Sequence, residues 1–326
     1  MLNLKSKEMK KLFVFAIAAV AMTVACQKLQ DVNLGTENEG DLVEMRFNSN
    51  LVTVSTKSVS SLDAANPLYV YGLSSNGKRQ VINAEATVTG NTLTLAQSAF
   101  YDSKGTYSFY GYYLDGANVT GDLAAEYASA LPISITGAND VLLATATGNG
   151  TYSAAEARNG NHPELVFEHK LSKFTFSVVN LGNSTMELTD ITVETPLSGT
   201  VTLTGAQTLD VDAQAAAGTI DLNVNPMTLA SQASEVAPVY EEVASVEALV
   251  FPNSTYTLKI KLSQTGETGN VVTRTLPVTV TESIAAGFQY TFKIKLYSLE
   301  EIKITASLKD WEDATVEIDT SDIEEE

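Results

Sequence analysis

From Asp41 to Lys57 the chain reads DLVEMRFNSNLVTVSTK, and Val43, Met45 and Phe47 alternate with Glu44, Arg46 and Asn48. A two-residue period predicts a β-strand with one face buried and the other in water. Asn48 to Ser61 is rich in Ser, Thr and Asn and carries a single basic residue, Lys57, which predicts an exposed loop. A first edge strand followed by a protease-accessible loop can be detached. Its loss would expose apolar side chains worth about 1.5–3 kcal/mol each at Val43, Met45 and Phe47, together with unpaired backbone. Another chain can fill such a groove by strand addition.

The same period recurs between Gly, Asn and Asp turns along most of the chain, with no long helical period, and this predicts an all-β fold of the sandwich type. Leu68 to Leu73 reads as a buried strand, and Asn76-Gly77 as a hairpin turn. Tyr107 to Tyr113 is aromatic on both parities, which predicts a strand covered on one side and partly exposed on the other. Asp122 to Ala130 is the one expected short helix, and Asp140 to Ala146 a further strand. Between Thr147 and Pro163 the sequence becomes polar and glycine-rich, so a domain boundary is placed there. Leu165 then opens a second unit. Phe167, His169 and Leu171 share one parity and Phe174, Phe176 and Val178 the other, so a β-bulge is expected near Ser172 and Lys173. Strands follow at Glu187 to Val193, Gly199 to Leu203, Thr219 to Val224, Val246 to Phe251, Tyr256 to Gln264 and Val271 to Val280, and Gly266 to Gly269 is a turn. Ala286 to Leu296 is a clean half-buried strand. Ile302, Ile304, Ala306 and Leu308, then Trp311, Val316 and Ile318, continue the apolar pattern. That last run either completes the second sandwich or is a donor segment for a neighbouring chain.

The N-terminus changes the picture from fold to location. Lys5, Lys7, Lys10 and Lys11 precede an apolar or small-residue run of 13 positions, Leu12 to Val24, too short to span a bilayer as a helix. Residues 1–25 therefore read as a removable signal. The chain's only cysteine, Cys26, follows directly and resembles the acylated first residue of bacterial lipoproteins. Removal of residues 1–25 takes four lysines and one glutamate from a net charge of −19 and leaves −22. Such a surface repels nucleic acid, so no nucleic-acid partner is expected. Residues 26–40 read as a tether, 41–160 and 161–320 as two β-sandwich domains, and 321–326 as an acidic tail.

Candidate chemistry is sparse. His169 falls on an inward position, the only other histidine is His162, and no Cys/His/Asp cluster has ligand spacing. Asp210 and Asp212 read as turn and edge residues. No catalytic residue, metal or cofactor is expected, and the chain does not read as an enzyme.

One order of motifs carries further. Phe47-Asn48-Ser49-Asn50, Thr56-Lys57, Tyr107 to Tyr113, Asp140 to Ala144, Phe167 to Lys173, Ala286 to Tyr290 and Trp311 together resemble the fimbrillin-like lipoproteins of Bacteroidetes, whose members include type V pilus subunits, over nearly the whole mature chain. The resemblance implies two tandem transthyretin-like Greek-key β-sandwiches, export to the outer membrane through lipid on Cys26, and a fimbrial role with other fimbrial subunits as partners. In that family a trypsin-like protease cuts the loop after the first strand, and an extension of a neighbouring subunit fills the groove. The family's usual Thr-Arg is here Thr56-Lys57, so either a lysine-tolerant protease cuts at Lys57 or the subunit stays uncut. Arg46 is an alternative site, expected to be shielded inside the strand. An unprocessed lipid-anchored adhesin, or a glycan-binding lipoprotein with a host or bacterial surface receptor, is the alternative on the same fold.

Overall fold

The computed structural model of the protein describes residues 42–51, 68–74, 80–89, 92–102, 105–119, 130–148, 150–212, 214–232, 236–265, 271–281 and 283–310. Cys26, the tether, Lys57, the turns at Asn76-Gly77 and Gly266 to Gly269, residues 122–129 of the expected helix, Trp311, Val316, Ile318 and the acidic tail lie outside them. In chain order the first elements are β1 (Val43–Glu44), β2 (Phe47–Leu51), β3 (Leu68–Ser74), β4 (Gln80–Thr89), β5 (Thr92–Leu95), β6 (Phe100–Tyr101), β7 (Tyr107–Tyr113), β8 (Asn118–Val119), β9 (Ala130–Ser134), β10 (Leu142–Thr145), α1 (Ala154–Arg158) and β11 (Glu164–His169). There follow β12 (Ser172–Asn180), β13 (Met186–Pro196), β14 (Ser198–Thr202), β15 (Leu209–Val211), β16 (Ala217–Asp221), β17 (Met227–Leu229), β18 (Glu241–Val250), β19 (Tyr256–Thr265), β20 (Val271–Val280), β21 (Phe288–Leu296) and β22 (Ile302–Asp310). The all-β class read from the sequence is the class observed.

Strand pairing in the first half closes on itself in the order β10-β11-β2-β5-β4-β3-β7, with β7 returning to β10. Its interior is filled by Phe47, Val70, Phe109, Leu142, Leu165 and Phe167 among others. Gly111 of β7 makes room for this filling, because a Cβ there would stand 2.6 Å from Cε1 of Phe167 and 3.3 Å from the Cβ of Ala144.

In the second half, β18-β12-β21-β22 form one sheet and β16-β13-β19-β20, with β17 also on β13, form the other. Phe174, Phe176, Ile191, Val193, Ile260 and Phe292 meet between them. The two long strands β12 and β21 run parallel, from Lys173↔Gln289 to Asn180↔Leu296.

A third layer joins the halves. β9 from the first half pairs with β14 from the second, within a sheet of order β15-β14-β9-β8. Leu131, Ile133 and Val201 of this sheet, and Leu203 just beyond β14, pack with Tyr71, Tyr110 and Tyr112 from the outside of the barrel and with Phe251. Both faces of β7 are consequently buried: Tyr107, Phe109 and Tyr113 point into the barrel, and Tyr110 and Tyr112 into the middle layer. The partly exposed aromatic face expected from the sequence does not exist, because a sheet built from distant segments covers it.

The parity change near Ser172 also has a different cause from the bulge expected there. Leu165 and Phe167 enter the barrel core, Leu171 the middle core, and Phe174, Phe176 and Val178 the sandwich core. The chain leaves one sheet at His169 and joins another at Ser172, so the flip of side-chain parity serves a change of sheet. A register shift does occur in β12, between Thr175 and Ser177 where it faces β18. Glu164–His169, expected to begin the second unit, pairs with β2 and β10 of the barrel. The helix α1 lies in the stretch read as a loose boundary; Ser153 caps it by accepting from the Glu156 N–H at 3.2 Å, and the S-x-x-E spacing is its sequence signal.

Gly111→Ala should force the Phe167 ring out of its place and cost about 1–3 kcal/mol of unfolding free energy, read as a lowered urea midpoint with an unchanged slope.

Candidate functional site

The strand on which the sequence reading turns is divided in two. β1 pairs with β6, Val43 opposite Tyr101 and Glu44 opposite Phe100. Met45 and Arg46 form a break in which the Met45 N–H donates to the carbonyl of Ala99 at 2.7 Å. β2 then runs antiparallel to β5, Phe47↔Leu93 and Asn48↔Thr92, and parallel to β11, Asn48↔Glu164 through Leu51↔Phe167. The Asn48 N–H donates to the carbonyl of Pro163 at 2.9 Å. β2 is therefore not the edge strand expected from the sequence. It lies between two neighbours, because the segment after α1 returns to lie parallel beside it, a long-range pairing that alternation along the chain does not encode.

The alternation itself is observed. Met45 and Phe47 are 4% and 2% exposed, Val43 is half-buried, and Arg46 and Asn48 are exposed. Phe47 meets Phe109 edge-on, with ring centroids 5.0 Å apart and planes at 83°. The outer side is polar and lightly braced. Glu44 accepts from the Ser98 hydroxyl at 2.9 Å and pairs with Arg46 Nε at 3.1 Å. The Ser98 hydrogen bond first, and Arg46 second, hold the Glu44 carboxyl below its ordinary range. Arg46, expected to be shielded within a strand, lies in the break between β1 and β2 with its side chain 70% exposed.

The candidate donor residues Ile302, Ile304 and Leu308 belong to β22, which pairs with β21 in unbroken register from Phe288↔Asp310 to Leu296↔Ile302. They are half-buried against the sandwich core at the edge of its sheet. His169 is buried with its Nδ1 2.7 Å from Oδ2 of Asp140, and Asp140 also accepts from the Val141 N–H at 2.8 Å. This pair ties the start of β10 to the end of β11, where Leu142 and His169 are opposite, and serves packing. His162 lines a shallow polar recess beside Asn48, Glu156 and Glu164. Among the described residues no group of three or more His, Cys, Asp or Glu is placed to hold a metal ion, and no helix is long and apolar enough to cross a membrane.

Phe47→Ala should cost about 3–5 kcal/mol, since it empties a fully buried site beneath Phe109, whereas Arg46→Gln should stay within about 0.5 kcal/mol because its ion pair is exposed; urea unfolding of the two variants distinguishes them. The lowered pKa of Glu44 sets a pH dependence with a definite sign. Its contribution to holding β1 is present above the unfolded carboxylate value of about 4.3 and is lost as pH falls through the lower folded value. The difference in urea midpoint between the wild type and Glu44→Gln should accordingly shrink as pH is lowered through that range, and Ser98→Ala should weaken the effect.

The fold has relatives of known structure. A fimbrial protein from Bacteroides vulgatus superposes with a TM-score of 0.59 at 14% identity, covering 82% of this chain and 99% of that one. A candidate cell adhesion protein from Parabacteroides distasonis gives 0.56 at 10% identity, covering 83% and 97%. One from Bacteroides uniformis gives 0.53 at 14% identity, covering 83% and 99%. Among curated proteins none matches the sequence. The family model described as fimbrillin-like matches residues 54–311, from just beyond β2 through nearly the whole of the remaining chain, and the protein belongs to that family.

Proposed function

We propose that this chain is a structural or adhesive subunit of surface fimbriae. It is exported as a lipoprotein acylated on Cys26 and held at the outer membrane until a protease cuts after Lys57. The released first strand leaves with the lipid, and a strand from a neighbouring subunit takes its place.

The position of β2 carries this reading. Because β2 has a neighbour on each side, its departure would leave a slot with two free backbone edges, β5 antiparallel and β11 parallel, over a floor that includes Leu93, Phe109, Leu165 and Phe167. A replacement strand would recover two ladders and a buried aromatic contact, more than an exposed edge offers. The opening would be local. Among the described residues the middle and sandwich cores contain none from β1 or β2, so the middle layer and the sandwich would remain folded while the slot is empty.

On the donor side, β22 is committed to β21 along its whole length, which leaves the chain from Trp311 onward, with Val316 and Ile318, as the donor. The glycan-binding alternative draws less support, since the aromatic side chains of Tyr107 to Tyr113 are all buried and offer no stacking surface.

Protein recovered from the cell surface should begin at Ser58 and run as a ladder of denaturant-resistant oligomers. An acylated Cys26 as the sole N-terminus, with a monomer only, would overturn the assembly reading in favour of an anchored adhesin.

A further inference from the structure

Asn48 of β2 lines a recess at the rim of the barrel together with Thr151, Tyr152, Glu156, Asn161 and His162. Its volume of about 390 Å³ falls within the range of about 300–1,000 Å³ usual for ligand pockets. Two turns bring these residues together. After β10 the Thr151 N–H and hydroxyl both donate to the Gly148 carbonyl, at 3.2 Å and 2.6 Å. After α1 the chain reverses at Gly160, whose φ of 83° suits glycine, and the Asn161 N–H returns to the Glu156 carbonyl at 3.0 Å. The next carbonyl but one, that of Pro163, receives the Asn48 N–H, so the recess is complete only while β2 is seated.

The lining is polar and held in place before any ligand arrives. Asn161 Nδ2 donates to Glu156 Oε2 at 2.5 Å. The Tyr152 hydroxyl donates to the Thr147 carbonyl, and its ring lies 5.8 Å from that of Phe109. A carboxylate with one partner keeps room for further donors, and a side-chain amide both gives and accepts. Nδ1 of the half-buried His162 is itself buried and has no hydrogen-bond partner among the described residues, a cost that rotation of the ring toward a ligand hydroxyl would relieve. No Lys or Arg lines the recess, whereas Glu156 and Glu164 do, so an anion is repelled. One phenol ring on a polar wall gives a hydrophobic ligand too little to lie against. A small neutral molecule covered in hydroxyls, each able to give and to accept, matches this lining.

We propose that the recess binds one neutral hexose unit and that the bound sugar holds β2 in place. Glu156 and Asn161 take its hydroxyls from one side and Asn48 from the other. Because Asn48 leaves with β2, a ligand that touches it binds the seated state better than the open one and shifts the balance toward the seated state. Binding here rests on amides and carboxylates rather than on stacking, so burial of the β7 aromatics does not bear on it. The site belongs to the uncut chain and needs neither cleavage nor a neighbouring subunit, so it stands apart from the assembly reading.

Saturation-transfer NMR of the uncut chain with glucose, galactose, mannose and N-acetylglucosamine, each at about 5 mM, should show transfer to at least one of them. Asn48→Ala and Asn161→Ala, which alter exposed side chains, should each weaken binding of that sugar about tenfold, the effect of one lost hydrogen bond, while keeping the urea midpoint of the wild type. With the sugar at about ten times its Kd, hydrogen exchange of the Asn48 amide should slow about tenfold. Transfer to none of the four sugars overturns the proposal. So does binding that both variants retain, and so does binding of putrescine with no sugar bound, which would assign the recess to a cation. Sugar binding that leaves Asn48 exchange unchanged overturns the hold on β2.

Discussion

The barrel closes through a single parallel contact. β2 and β11 run side by side, so the first strand of the barrel in chain order is held by the last, with Phe47 beneath Phe109 and Phe167 over Gly111. An antiparallel hairpin forms from neighbours in sequence. A parallel pair needs a long crossover and closes only after the intervening chain is in place. In this protein the crossover includes β3 to β10 and α1, so the seat of β2 depends on nearly everything that follows it. The converse does not hold, because β2 contributes to one core of three.

That asymmetry connects fold to function. A strand whose removal dismantled the whole molecule would be useless as a replaceable part, and one at a free edge would leave little to refill. β2 is intermediate: two ladders and the buried Phe47 belong to it, with the buried Met45 just ahead of it, while the layer formed by β9 and β14 holds the halves together without its help. The middle layer also explains the aromatic β7. A strand packed on both sides needs large side chains on both parities, and the tyrosines of that strand meet the need with hydroxyls that reach its polar margins, as Tyr112 does to Asn83 at 2.9 Å.

Much of this was legible from local pattern. Alternation at Val43 to Asn48 marked the strand and its buried face, and alternation at Phe288 to Leu296 marked β21 residue by residue. It also marked Ile302 to Leu308, but could not say whether that run was seated or free; the pairing with β21 decides it. The change of parity at Ser172 was visible, yet its meaning was not, since a bulge and a change of sheet leave the same trace in sequence. Arg46 was misplaced for a related reason: alternation continues through it, but the backbone breaks there as Met45 turns to bond Ala99.

By itself the sequence determined the all-β class, the buried members of most strands, the order of motifs that marks the family, and the acidity of the chain, because each is written in residue type and short-range period. Only the tertiary structure decided which strands are neighbours, that β2 is enclosed on both sides, and that β7 is covered on both faces. These are relations between segments far apart in the chain, and the two-residue period that places a side chain on a face carries no information about what lies against that face.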